Sequence, residues 1–107
     1  MIIRQAYFEG SIQKGREDAF KIYVAERLVP LWQEFPDVLE VRVLHGTTRD
    51  EGAPTYAMVL SMKFDSQEAL TKALESSVRY ESREVTKGLM ALFDGRIHHH
   101  VFEVAHE

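Results

Sequence analysis

The stretch from Phe20 to Val38, FKIYVAERLVPLWQEFPDV, sets the tightest limit on what this chain can fold into. Phe20, Val24, Leu28, Leu31 and Phe35 recur at steps of three and four, which puts them on one face of an amphipathic helix. Ala25, Val29 and Trp32 widen that face, and Glu26, Arg27, Gln33 and Glu34 fall on the opposite side. Such a face needs a second layer to bury it. Pro30 interrupts the pattern. Proline inside a helix removes one backbone donor and clashes with the preceding turn, at a cost of about 3 kcal/mol. The spacing therefore predicts a kink, or a helix in two pieces. Pro36 and Asp37 end it, because proline disfavours helical geometry in the residue before it.

The rest of the chain supplies the partner layer. Met1 to Phe8 reads as a strand with Ile3, Gln5 and Tyr7 on one face and Ile2, Arg4, Ala6 and Phe8 on the other. Large groups on both faces suit a strand covered on both sides. Glu9 to Gly15 reads as a loop, and Glu17 and Asp18 put negative charge at the start of the helix, where its dipole favours it. Val38 to His45 alternates: Leu39, Val41, Val43 and His45 against Glu40, Arg42 and Leu44. Gly46 to Pro54 is a polar turn region, and Thr55 to Phe64 alternates again. There Tyr56, Met58, Leu60, Met62 and Phe64 oppose Ala57, Val59, Ser61 and Lys63. Asp65 to Ser77 is a helix capped by Ser66 or Asp65, with Ala69, Leu70, Ala73 and Leu74 as its apolar stripe. A second helical piece, Val78 to Phe93, repeats Val85, Leu89, Leu92 and Phe93, and Asp94 and Gly95 stop it. Ile97 to Ala105 is the last strand.

This order, βαββαβ, predicts an α+β ferredoxin-like domain: a four-stranded antiparallel sheet with both helices on one face. With 107 residues, one domain spans the chain. The uncovered face of the sheet would keep Val59 and Ala57, with either Ile3 and Tyr7 or Ile2 and Phe8. Two sheets closing face to face in a homodimer would cover them and remove exposed edges, so the expected assembly is a dimeric α/β barrel.

The helix stretch also resembles the EthD-like family of dimeric α/β-barrel proteins. In that family one aromatic begins the helix face and another follows a turn later. A histidine comes next, then a proline two residues on, and a second proline opens the following strand. Phe20, Tyr23, Pro30, Leu31, Pro36 and Val38 fit that spacing, and Phe64, Asp65, Ser66, Glu68, Ala69 and Leu70 resemble the family's strand end, cap and second helix. The family's histidine falls at Leu28, which can neither transfer a proton nor hold a metal. The resemblance implies a homodimer that binds a small apolar or aromatic molecule without a cofactor; the composition points to a cytoplasmic protein.

Composition narrows the chemistry. The absence of cysteine excludes disulfides, thiolate catalysis and cysteine zinc sites. A net charge of −4 argues against a nucleic-acid surface. No apolar run approaches the roughly 20 residues that span a bilayer, and no basic-then-apolar leader opens the sequence, so neither membrane insertion nor secretion is expected. No phosphate loop, Ser-His-Asp signature or paired-glycine nucleotide motif is present.

The residues left to carry function are polar groups on strands. His98 and His100 point the same way, about 7 Å apart, a spacing two imidazoles can share on one metal. A third ligand would have to come from elsewhere, so the plainer reading is a polar strand, and no metal is expected. If Phe102 faces the helices, His98 and His100 share that side, and His99, Val101 and Glu103 line the barrel; the opposite parity puts the pair inside. The first assignment is preferred, because a charge buried under the helices is costly. Glu40 and Arg42, joined by Arg4 or Tyr7, would orient a polar ligand; the plainer reading is a solvated strand face. His45 or His99 would serve as a relocated base. Two readings follow: a small-molecule protein of aromatic or apolar metabolite catabolism, accessory or cofactor-free enzyme, or a non-catalytic dimeric stress-associated or structural module. In the first the ligand sits in the barrel lumen: a lumen of roughly 300 Å³ or more with convergent polar groups favours it, and a lumen filled by Met, Tyr and Val side chains favours the second.

Overall fold

The first strand, β1 (Ile2–Ile12), is the spine of the sheet. It pairs antiparallel with β3 (Tyr56–Phe64) on one side and β4 (Phe93–Glu103) on the other, and β2 (Glu40–His45) pairs antiparallel with β3. The strand order is β2-β3-β1-β4. Helical segments α1 (Glu17–Tyr23), a π-helical turn (Val24–Leu28) and α2 (Val29–Gln33) follow β1, and α3 (Gln67–Leu74) and α4 (Ser77–Met90) follow β3. The structure is a computed structural model and describes all residues, 1–107. The ferredoxin-like α+β fold with helices on one face is as the patterning predicts.

The expected dimeric α/β barrel is not. The sheet stays open, with β2 and β4 as its two unpaired edges. Neighbouring strands rotate by roughly 20–25°, so the four strands of the chain form a twisted open sheet and not a barrel wall closed on itself.

Pro30 is accommodated without a break. The Val29 N–H donates to the Val24 carbonyl across a π-helical turn, and Pro30 falls in the first turn of α2. The wide turn means the missing proline N–H costs no regular helical bond. Phe20, Val24, Leu28 and Phe35 are buried, as their spacing requires; past the π-helical turn Trp32 takes the buried place expected of Leu31, which stays partly exposed. The buried side chains meet Ala6, Phe8, Met58, Leu60, Met62 and Phe64 of the sheet and Leu70, Ala73 and Leu89 of the later helices in one core. Each fully buried large side chain stabilises by about 1.5–3 kcal/mol. Ser66 caps α3, its hydroxyl oxygen accepting from the Ala69 N–H at 3.1 Å.

Two boundaries differ from the sequence reading. β1 runs four residues past Phe8, through the stretch expected to be loop, and β4 starts at Phe93 rather than Ile97. Gly10 and Gly95 make this extension work. They face each other across the two strands, Gly10 at φ +138°, and a Cβ on Gly10 would sit 2.2 Å from the Asp94 carbonyl oxygen. A glycine pair read as turn punctuation is instead a close backbone approach.

The register settles which side chains face which way. Ala6 pairs with His99, and Ala6 is buried under the helices. Arg4, His99, Val101 and Glu103 therefore lie on the helix-covered side of the sheet, together with Val41, Val43 and His45. Ile3, Tyr7, Val59, Ser61, His98, His100 and Phe102 lie on the open side with Glu40, Arg42 and Leu44. The preferred parity for β4 is thus reversed. His99 is tolerated under the helices because it stands beside small Ala6 in a cavity and gives up its charge, as shown next.

Candidate functional site

A cavity of about 410 Å³ separates the sheet from α2 and α4. Its apolar floor and wall are Ala6, Phe8, Leu60, Met62, Ile97, Trp32 and Phe35. Its polar side comes from Arg4 and His99 on the sheet and from Arg79, Ser82, Arg83, Thr86 and Lys87 on α4. Arg79, Ser82, Arg83 and Thr86 recur at steps of three, one and three, which makes them a single polar stripe on the helix surface. That stripe runs beside the apolar one of Val78, Val85 and Leu89.

The electrostatics are one-sided. Four cationic side chains line the cavity and no carboxylate does. Lys87 pairs with Glu84 at 3.0 Å, while Arg4, Arg79 and Arg83 make no salt bridge. Burial, and then the positive Arg79, lower Arg4 to about 10, which leaves it charged at neutral pH. Arg79 donates to the Leu74 carbonyl at 3.4 Å. The Ser82 hydroxyl donates to the Arg79 carbonyl and the Thr86 hydroxyl to the Ser82 carbonyl, each at 2.7 Å. Both hydroxyl protons are thereby committed to the helix, and the oxygens can only accept. His99 is lowered to about 4 by burial first, then by Arg4, Arg79 and His98. Its ring is packed among protein groups, although the residue as a whole is more than a third exposed. At neutral pH it is a neutral imidazole, able to accept a hydrogen bond.

The cavity lies on the helix-covered side of the sheet, not in the barrel lumen that the sequence points to, and the residues expected from sequence divide between it and other places. Arg4 and His99 are in it. Glu103 is on the same side of the sheet but exposed near the end of β4, outside the cavity. Glu40 and Arg42 are on the outermost strand, mostly exposed and 3.9 Å apart, a pair screened by water. Tyr7 is on the open face among aromatic rings: Tyr56 at 5.3 Å, His98 at 5.4 Å and His100 at 5.5 Å between centroids. His98 is hydrogen-bonded to Glu9 at 3.1 Å, and His98 and His100 are 5.7 Å apart between ring centroids. No three metal-binding side chains gather around them or elsewhere. His45 is on the helix side of the edge strand, in a hollow of about 560 Å³ walled by Thr47, Thr48, Arg49 and Pro54. Its Nδ1 is buried without a partner, and burial lowers its pKa. That hollow is larger, but only 5 of its 16 lining residues are hydrophobic, against 7 of 14 in the helix–sheet cavity.

Sequence reading missed Arg79 and Arg83 as site residues; of Tyr23, Trp32 and Tyr56, the aromatics that the sequence offers for a pocket, only Trp32 lines this cavity. The signal existed: a basic, hydroxyl-bearing stripe at helical spacing beside an apolar one. Leu28, in the place of the family histidine, is fully buried core. Tyr23, one turn earlier, donates its hydroxyl to the Val85 carbonyl at 2.8 Å and so ties the first helical segment to α4.

No protein-family model and no curated protein matches the chain. Among solved structures it is similar to an ethyl tert-butyl ether D (EthD) family protein from Bacillus halodurans, with a TM-score of 0.73, 15% identity, and coverage of 97% of this chain and 99% of that one. It is also similar to SnoaB, a cofactor-independent oxygenase from Streptomyces nogalater, with a TM-score of 0.68, 16% identity, and coverage of 99% and 94%. A dimeric protein of unknown function from Bacteroides fragilis follows at a TM-score of 0.66, 12% identity, and coverage of 96% and 95%. At such identities the likeness is one of fold: the chain shares the ferredoxin-like architecture of EthD-type and oxygenase proteins over nearly its whole length.

Proposed function

We propose that this is a small-molecule-binding protein of the EthD-like kind, and that its ligand occupies the helix–sheet cavity. The observation that carries the reading is a volume of about 410 Å³ with an apolar floor and convergent polar groups on one wall. That is the size and character of ordinary ligand pockets, which run from about 300 to 1,000 Å³. The ligand has an apolar or aromatic body, to match Trp32, Phe35, Phe8 and Met62. The fold is shared with a cofactor-independent oxygenase, and His99 is a neutral imidazole in the cavity; with its basicity lowered to about 4, it meets a bound molecule as a hydrogen-bond partner rather than as a general base. A homodimer accompanies this reading. The open face carries Tyr7, Val59 and Leu44, with Phe102 46% exposed at its rim, an apolar surface that a second copy would cover.

A non-catalytic dimeric module is the second reading, and Leu28 favours it, because the position where EthD-like relatives hold a histidine is sealed core. Native mass spectrometry of the purified protein tests both. A dimer with a co-purified small molecule supports the first reading. A dimer that captures nothing, and whose single tryptophan, Trp32, responds to no apolar or aromatic compound, supports the second.

A further inference from the structure

We infer that the ligand of the helix–sheet cavity is an organic monoanion, a carboxylate on an apolar body, with its head held by Arg4 and Arg79 and its body against Trp32 and Phe35. This rests on the proposed ligand cavity and names the class of molecule that fills it.

The case begins with charge. The whole chain is net negative at −4, yet the cavity gathers Arg4, Arg79, Arg83 and Lys87 with no acidic residue among its lining. Only Lys87 has a carboxylate partner, Glu84, and both of those side chains are exposed. Arg4 is half-buried and makes no side-chain hydrogen bond or ion pair within the chain. A guanidinium cannot escape this by losing its proton at neutral pH. Arg4 and Arg79 line the cavity together, and the charge of Arg79 disfavours that of Arg4. Neither has a carboxylate partner, Arg79 meeting only the Leu74 carbonyl and the Tyr80 ring, and two half-buried like charges are unfavourable until an anion joins them. A structural arginine would show the carboxylate or carbonyl partners that Arg4 lacks.

The remaining groups narrow the anion. Guanidinium matches carboxylate through two parallel hydrogen bonds. Ser82 and Thr86 have spent their protons on helix carbonyls, so they offer nothing to an anionic head and accept only from donors on the ligand body. Half of the lining is apolar, with Trp32 4% and Phe35 5% exposed. A small inorganic ion would leave that wall unmatched. No glycine-rich phosphate loop is present to cradle a polyphosphate.

Trp32 is the only tryptophan and lines the cavity, so its fluorescence reports occupancy directly. The probes are octanoate with its neutral twin octanol, phenylacetate with phenylethanol, and inorganic phosphate. For the wild-type chain, each carboxylate should bind about tenfold or more tightly than its alcohol, and phosphate at least tenfold more weakly than octanoate. Arg4→Gln and Arg79→Gln should each weaken octanoate about tenfold and leave octanol within about twofold. Lys72→Gln, exposed on α3 and outside the cavity, should change neither beyond about twofold. If Arg4→Gln loses its fold by circular dichroism, Arg79→Gln on the opposite wall carries the same comparison. Alcohols that bind as tightly as carboxylates, arginine variants that keep full octanoate affinity, or phosphate that matches octanoate would each overturn the anionic-ligand assignment and leave the ligand cavity standing. No Trp32 response to any probe would take down the cavity reading and this inference with it.

Discussion

Gly88 sits inside α4, where helix propensity alone recommends alanine. Replacing an interior helical glycine by alanine ordinarily stabilises by about 1 kcal/mol. Here the structure reverses the sign. A Cβ at Gly88 would lie 2.1 Å from the Tyr23 hydroxyl oxygen and 2.9 Å from the ring carbon that bears it. Tyr23 must then move, and its hydrogen bond to the Val85 carbonyl goes with it. Overpacking of this kind costs about 1–3 kcal/mol, and the lost hydrogen bond a further 0.5–1.5 kcal/mol or so. Set against the propensity gain of about 1 kcal/mol, Gly88→Ala should destabilise the chain by about 0.5–3.5 kcal/mol. Urea unfolding followed by circular dichroism reads this as a lower midpoint with an unchanged slope. Adding Tyr23→Phe removes the closest atom, so the double variant should recover part of the loss. A Gly88→Ala variant as stable as wild type, or more so, would refute the packing described between the first helical segment and α4.

Other predictions follow from the same geometry. His99 is held at about 4 in the fold against an ordinary 6.5, so the unfolded chain binds more protons between those values. Its contribution is full above about pH 6.5 and is lost as pH falls toward 4. Because His99 keeps solvent contact, the effect is on the order of 1 kcal/mol. Unfolding free energies near pH 5 and pH 7 should differ less in His99→Gln than in wild type; equal slopes would deny His99 this role. Arg42→Ala should leave cavity binding unchanged, since Arg42 is on the open face of the outer strand; weakened octanoate binding in that variant would relocate the site. Val59→Glu puts a charge on the open face of β3 and should shift a dimer to monomer in sedimentation without unfolding it. A wild-type chain that is monomeric at micromolar concentration would remove the homodimer.

The elements were readable because their signals are local. The 3.6-residue spacing of Phe20, Val24, Leu28 and Phe35 and the period-two alternation of Met58 to Phe64 each follow from backbone geometry that a short window contains, whereas Tyr56, read onto the same face, is turned to the open side by a register shift. Their order then leaves few topologies, and the ferredoxin-like sheet is among them. Residues 97 to 103 were not readable in this way. Large groups occupy both parities, His98, His100 and Phe102 against His99, Val101 and Glu103, so no local rule says which set faces the helices. The pairing of Ala6 with His99 decides it, and that pairing joins residues 93 positions apart in the chain. The same limit hid the cavity. Arg79, Ser82, Arg83 and Thr86 look like an ordinary solvated helix face in sequence. They become a cationic wall because α4 packs that face over Arg4, which makes the site a property of two surfaces meeting rather than of either segment.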